Sequence, residues 1–209
     1  MENLSVKIIS QLSDNYCYAI YEKEHSSSIV IDPAEAENII YYLKEKKLNL
    51  EYIFITHHHS DHTSGVLDLV KEYPEVKIYS PSDLATLSTN KISHDDKIKT
   101  SINEFEIISA PGHTLDHIIL CDHKNNFLFV GDVLFRLGCG RIFEGTYEQM
   151  QTSLQKILNL SDDLTVYCGH EYTKNNLKFL EQIFDKNMIL EQVKKEIFKD
   201  ISSNGKSIP

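Results

Sequence analysis

Four short apolar runs in this chain each stop at a tight turn carrying a histidine or an aspartate. Tyr52–Thr56 leads into His57-His58-His59-Ser60-Asp61-His62, and Ile107–Ile108 leads into Pro111-Gly112-His113. Phe127–Val130 leads into Gly131-Asp132, and Leu164–Tyr167 into Cys168-Gly169-His170. Runs of β-branched and aromatic residues bounded by such turns read as strands. A fold that sets these strands side by side brings their ends to one rim. A near-extended path from His57 to Asp61 points His57, His59 and Asp61 to one side, with His62 turned differently, because side chains alternate along an extended chain. We expect His57, His59 and His113 around one cation, Asp61, His62 and His170 around a second, and Asp132 between them. Mixed imidazole and carboxylate donors suit zinc first, with iron or manganese as alternatives, rather than magnesium or calcium. Two such cations, roughly 3.5–4 Å apart, hold a water as hydroxide near neutral pH and polarise an electrophile, which is hydrolytic chemistry.

The rest of the chain supplies strands and helices for such a rim. Val6–Ile9, Tyr16–Tyr21 and Ser28–Ile31 read as an antiparallel meander. Glu35–Lys47 places Ala36, Ile39, Ile40 and Leu43 on one helical face after the Asp32-Pro33 start signal. Gly65–Tyr73 reads as a second helix and Val76–Tyr79 as a strand, while Pro81–Thr100 shows no clean period. Glu104–Ile108, His117–Asp122 and Phe127–Val130 read as strands, the last two joined through Lys124-Asn125-Asn126. Tyr147, Met150, Leu154, Ile157 and Leu158 recur at helical spacing. Lys174–Ile201 reads as helical, with Leu177, Leu180, Ile183 and Phe184 on one face, a break near Asp185–Asn187, and Ile189, Leu190, Val193 and Ile197 on a second face. Strands in runs and then alternating with helices predict a layered α/β protein with sheets inside and helices outside.

At 209 residues and 41% hydrophobic the chain can close one sizeable core. Its formal charge of −10 argues against binding a phosphate backbone. No apolar run approaches the roughly 18 residues of a membrane span. Met1 opens no basic-then-apolar leader, and Cys17, Cys121, Cys139 and Cys168 form no close pair. A soluble cytoplasmic protein is expected, acting as a monomer without nucleic-acid or membrane partners. Not every histidine belongs to the rim. His25, His94 and His123 read as surface residues, as does His58, which faces away from its neighbours. His117 reads equally as a residue that orients a ligand and as an ordinary core histidine.

The run Thr56–His62 resembles the T-H-x-H-x-D-H motif of the metallo-β-lactamase superfamily. Gly131-Asp132-Val133-Leu134-Phe135, Gly138–Thr146 and Cys168–Thr173 followed by Asn175-Asn176-Leu177-Lys178-Phe179 resemble glyoxalase II stretches. Asp14-Asn15-Tyr16 and Ile31-Asp32-Pro33 match weaker hallmarks, and the likeness runs to about Phe184. The resemblance implies an αββα sandwich, with a catalytic domain at 1–172 and a short helical C-terminal segment at 173–209. It implies a binuclear metallohydrolase of methylglyoxal detoxification that cleaves the thioester of S-(2-hydroxyacyl)glutathione, chiefly S-D-lactoylglutathione. Attack is expected from a hydroxide bridging the two cations, with Asp132 and Asp61 as catalytic carboxylates. It implies that Arg141, Phe143 and Tyr172 contact the glutathione part, although many members carry a tyrosine at the Phe143 position. Members usually continue into more helix past the segment matching Gly205–Pro209, so weaker glutathione affinity is expected. A persulfide dioxygenase or another thioesterase of the same superfamily is the alternative.

Overall fold

A computed structural model describes residues 4–22, 24–84, 89–184 and 188–204, with side chains to residue 200. The break expected near Asp185–Asn187 and the segment Gly205–Pro209 lie outside the described residues. Strands β1 (Leu4–Gln11), β2 (Asn15–Glu22) and β3 (Ser27–Ile31) form the expected antiparallel meander. Helix α1 (Glu37–Lys46) returns the chain to β4 (Asn49–Phe54), parallel to β3. A single turn, α2 (Ser60–Thr63), and helix α3 (Val66–Glu72) lead to β5 (Lys77–Ser80) and β6 (Asn90–Lys91), which complete a six-stranded sheet. A second sheet holds β7 (Lys97–Lys99), β8 (Glu104–Ser109), β9 (Ile118–Asp122), β10 (Phe127–Gly131) and β13 (Thr165–Cys168), in the order β13-β10-β9-β8-β7. Between β10 and β13 lie a small hairpin, β11 (Leu134–Phe135) with β12 (Gly138–Cys139), and helix α4 (Tyr147–Leu158). Helices α5 (Thr173–Ile183) and α6 (Met188–Asn204) follow.

The sandwich follows from two-residue alternation in strands buried on both faces. Tyr16, Tyr18 and Ile20 of β2 turn toward the second sheet, while Cys17 and Ala19 turn toward α1 and α3. The same division separates Ile29 and Ile31 from Val30, and Phe54 from Ile53. Between the sheets Tyr18 meets Phe129 edge-on at 5.4 Å, and Phe54 meets Phe105 at 5.1 Å. Burying one such side chain contributes about 1.5–3 kcal/mol. Ile39 and Leu43 are the fully buried face of α1, and Met150, Leu154 and Ile157 seat α4 against the cluster built on the second sheet. The order helix, sheet, sheet, helix is the αββα sandwich.

The structure adds β6 and β7 inside the Pro81–Thr100 stretch, where no period was visible. Both are two- or three-residue edge strands rich in lysine, too short and too exposed to leave an apolar alternation. The expected C-terminal faces are corrected. Leu177, Leu190 and Ile197 form a small cluster with Leu180, Val193 and Leu137. Ile183, Phe184 and Ile189 instead stand 55%, 49% and 75% exposed. The Arg136 guanidinium reaches Asp200 at 2.7 Å and Asn176 donates to the Arg136 carbonyl, tying both helices to the β11–β12 hairpin.

Candidate metal centre

The rim is built where strands of both sheets end together. The Ile118 amide donates to the Thr56 carbonyl at 2.9 Å, the Gly169 amide to Gly131 at 2.8 Å, and the Tyr16 amide to Gly169 at 2.8 Å. His57 follows β4, His113 lies in the loop after β8, Asp132 follows β10, and His170 follows β13. Gly169 lets the last two meet, since a Cβ there would sit 2.2 Å from Asp132 Oδ1. The extended path expected through Asp61 is corrected. It runs only to His59, which caps α2, so Asp61 and His62 leave from a helical turn. Side chains 100° apart on a helix can serve one centre, whereas adjacent residues on a strand point to opposite faces.

Three groups of donor atoms each lie within 4.8 Å of one another: His57/His59/His113, Asp61/His62/His170 and His57/His62/Asp132. His59 Nδ1 stands 3.1 Å from His57 Nε2 and 3.0 Å from His113 Nε2. His170 Nε2 lies 3.3 Å from both Asp61 Oδ2 and Asp132 Oδ2, and His113 Nε2 lies 3.4 Å from Asp132 Oδ2. His62 Nε2 lies 3.5 Å from Asp132 Oδ1. The structure thus brings all seven residues to one place.

Outside this ring, hydrogen bonds fix which nitrogen of each imidazole faces inward. Asp32 accepts the Thr56 amide at 2.8 Å, the Thr56 hydroxyl at 2.7 Å and His62 Nδ1 at 3.0 Å. The Thr56 oxygen in turn accepts from His57 Nδ1 at 3.0 Å. His113 Nδ1 donates to the Arg141 carbonyl at 2.8 Å, and His170 Nδ1 to Asp14 at 2.9 Å. Asn15 donates to Asp61 Oδ2 at 3.0 Å. With Nδ1 engaged outward, these four rings turn Nε2 to the centre, the orientation that cation-binding histidines need. Asp32, Asp14 and Asn15 were read only as turn or hallmark residues. Asp32 carried a usable signal, because it too ends an apolar strand.

The electrostatics ask for positive charge. Burial, joined by the neighbouring imidazoles of His117 and His62, drives His57 well below its ordinary value, and burial also opposes the charged forms of His62 and His170. The carboxylates of Asp32 and Asp132 outweigh burial at His62 and hold it well above, and Asp132 with Asp61 pushes His170 up to about 10. Asp61 is held low chiefly by His170, and Asp132 is held low by His170 and His62 against its own burial. Within this charged cluster His62 Nε2 and Asp132 Oδ1 are buried without a hydrogen-bond partner. Buried polar atoms are rarely left so. Two inward-facing donors of opposite type, in a shell already oriented, fit a bound divalent cation.

The centre opens into a cavity of about 470 Å³ whose walls include Arg141, Phe143 and Tyr172. Phe143 packs edge-on to His59 at 5.6 Å and His113 at 5.2 Å, and Tyr172 stacks on His170 at 4.8 Å. The remaining histidines stand apart. His25 lies beside Glu22, His94 beside Asp95, and His123 beside Glu106. His58 is exposed, as expected of a surface histidine, and bridges Asp116 at 2.9 Å and Glu144 at 3.2 Å. Those carboxylates are further occupied by Ser82, Thr114 and the Leu115 amide, and hydrogen bonding accounts for the group. His117 is fully buried, stacks on His57 at 4.7 Å, and accepts the Asp132 amide at Nε2.

A two-sheet sandwich with paired histidine-aspartate clusters on its rim defines the metallo-β-lactamase class, and the Metallo-beta-lactamase superfamily model matches residues 12–170. In solved structures the chain is similar to ETHE1 from Myxococcus xanthus, with a TM-score of 0.71 and 28% identity over 80% of this chain and 76% of that one. It is 40% identical to a hydroxyacylglutathione hydrolase of Vibrio cholerae serotype O1, over 99% of this chain and 81% of the relative. It is 41% identical to one from Pseudoalteromonas translucida, over 99% and 80%. The chain belongs to the hydroxyacylglutathione hydrolase (glyoxalase II) family of that superfamily.

Proposed function

We propose that this protein hydrolyses the thioester of S-(2-hydroxyacyl)glutathione, chiefly S-D-lactoylglutathione, to glutathione and a 2-hydroxy acid, as part of methylglyoxal detoxification. The observation that carries the reading is the seven-residue cluster opening into a cavity walled by Arg141, Phe143 and Tyr172 in a chain about 40% identical to hydroxyacylglutathione hydrolases. In this reading His57, His59 and His113 would hold one divalent cation and Asp61, His62 and His170 a second, with Asp132 between the two groups. Zinc suits the donor set first, with iron or manganese as alternatives. When bound, such ions acidify water and polarise a carbonyl oxygen.

The protein's own groups do the rest. Asp132, with Oδ1 facing His62 and Oδ2 facing His113 and His170, lies between the two donor groups and is placed to orient the attacking water. Asp61 turns Oδ2 to the centre, 3.3 Å from His170 Nε2, and Asn15 holds that same oxygen in place. Arg141 offers a guanidinium and Tyr172 a hydroxyl to the peptide-like part of the substrate. Tyr172 stays neutral, its phenol pushed up to about 12 mainly by burial, and so donates. Phe143 shields His59 and His113 from bulk water. The departing thiolate, with a pKa near 8.5, needs no dedicated acid. In this reading residues 1–172 are the catalytic part and 173–209 a C-terminal segment, of which α5 contributes Asn175 and Asn176 to the cavity wall. The reading takes the protein to act as a monomer on a free thioester in the cytoplasm; the described residues contain no helix long and apolar enough to cross a membrane, and the charge of −10 disfavours nucleic acid.

The test is hydrolysis of S-D-lactoylglutathione by the zinc-loaded chain over a concentration series, with chelator-treated protein beside it. Saturable turnover abolished by the chelator is expected. Oxygen uptake with glutathione persulfide and no thioester hydrolysis would overturn the reading.

A further inference from the structure

His117 is the buried histidine of the rim that faces none of the donor groups. Its ring lies between the back of His57, 4.7 Å away and 21° from parallel, and the backbone that carries Asp132. The Asp132 amide donates to Nε2 at 3.1 Å, so the single proton of the neutral ring sits on Nδ1. There it is buried and meets no acceptor. An unpaired buried N–H costs about 1–3 kcal/mol, and an apolar side chain of similar volume would not incur that cost. The amide it satisfies at Nε2 and the N–H it strands at Nδ1 roughly offset each other, so stability gives little net reason for an imidazole here. What it supplies and an apolar side chain lacks is a lone pair aimed at the Asp132 amide.

The backbone at this point needs such a fixture. Gly131 adopts a φ of +47°, and a Cβ there would lie 2.8 Å from the His117 ring, so strand and ring are in direct contact. β10 leaves its regular ladder at the same place, with a register shift between Phe129 and Gly131. His117 is itself anchored to both flanking loops. Its carbonyl accepts the Ala110 amide at 2.8 Å, closing the loop that carries His113, and the next amide, Ile118, donates to Thr56.

We propose that His117 is a positioning residue: through the Nε2 hydrogen bond to the Asp132 amide and the stack on His57 it sets the carboxylate shared by the two cation sites. The proposal rests on the two-cation reading above. Its loss is expected in metal affinity rather than in folding.

The experiment compares the full chain with His117→Leu and His117→Gln, using zinc alone as the probe. Each protein is stripped with chelator, its metal-free melting temperature is recorded, and zinc is titrated against a competing chromophoric chelator. His117→Leu loses the acceptor but also removes the unpaired Nδ1–H, so its metal-free melting temperature should stay close to that of the parent. Its weaker zinc-binding step should fall about 10–100-fold, the usual effect of removing a group that orients a ligand. Glutamine can place its side-chain oxygen where Nε2 lies, and should restore most of the affinity. Unchanged zinc affinity in His117→Leu, or equal loss in both variants, would overturn the proposal. A parent chain that binds no zinc would instead overturn the two-cation reading itself.

Discussion

At the scale of single residues, the centre is set as much by groups that orient donors as by the donors. Asp32 holds a histidine from each of two donor groups, His62 directly and His57 through Thr56. Asp61→Asn should cost bound metal and most turnover, because one inward oxygen becomes an amide. His94→Asn, at the exposed Asp95 pair, should change neither, and equal activity of the two variants in a steady-state assay would contradict the assignment. Asp116 gives a prediction in pH. Burial opposes its charged form, but hydrogen bonds from Ser82, Thr114 and His58 outweigh this and lower its pKa below 3.8. A folded-state pKa below the unfolded one means that the carboxylate's contribution is complete above about pH 4–5 and is lost as pH falls through the folded value. Asp116→Asn should therefore lower the melting temperature at pH 7, and the gap to the parent should narrow as a thermal series approaches pH 3.

At the scale of elements, what was readable in the amino-acid sequence depended on whether burial left a period. Two-sided burial of β2 and β3 and the Ile39–Leu43 face of α1 left clear patterns, and the expected meander and helix are found. The seven rim residues are legible because four apolar strands each run into a segment that carries one or more of them. Asp32 also follows an apolar strand, yet the helix-start reading of Asp32-Pro33 hid it. The path through His57–His62 was misread at its end, since strand periodicity cannot reveal the single turn that begins after His59. Ile183, Phe184 and Ile189 have helical spacing yet stand largely exposed, so spacing overstates their burial. Helix α4 offers a test of local signal. Thr146 and Gln149 form a reciprocal capping box at its start. Thr146→Ala should cost about 1 kcal/mol, or about 2–4 °C in melting temperature for a chain of this size, measured by calorimetry.

At the scale of the whole molecule, two sheets that share a core also share a rim, and the rim concentrates buried carboxylates that repel one another without a counter-charge. Divalent ions that bind only the folded chain stabilise it by mass action, about 2.7 kcal/mol at a hundred times the dissociation constant. Chelation should lower the melting temperature, and adding zinc back should restore it in a concentration-dependent way. Calorimetry with and without chelator reads this directly; an unchanged transition would mean that the cluster holds no ion in the folded state.

The bond between Asp14 and His170 spans 156 positions of sequence. During synthesis, the turn that carries His57 and His59 leaves the ribosome long before His170 exists, and the imidazole that completes the centre cannot be oriented until the two ends of the sandwich have met. Long-range closure of this kind comes late and slowly in folding. A shell that needs both ends of the chain exists only in the folded protein; an incomplete copy has only its separate histidines and aspartates, without the hydrogen bonds that orient them.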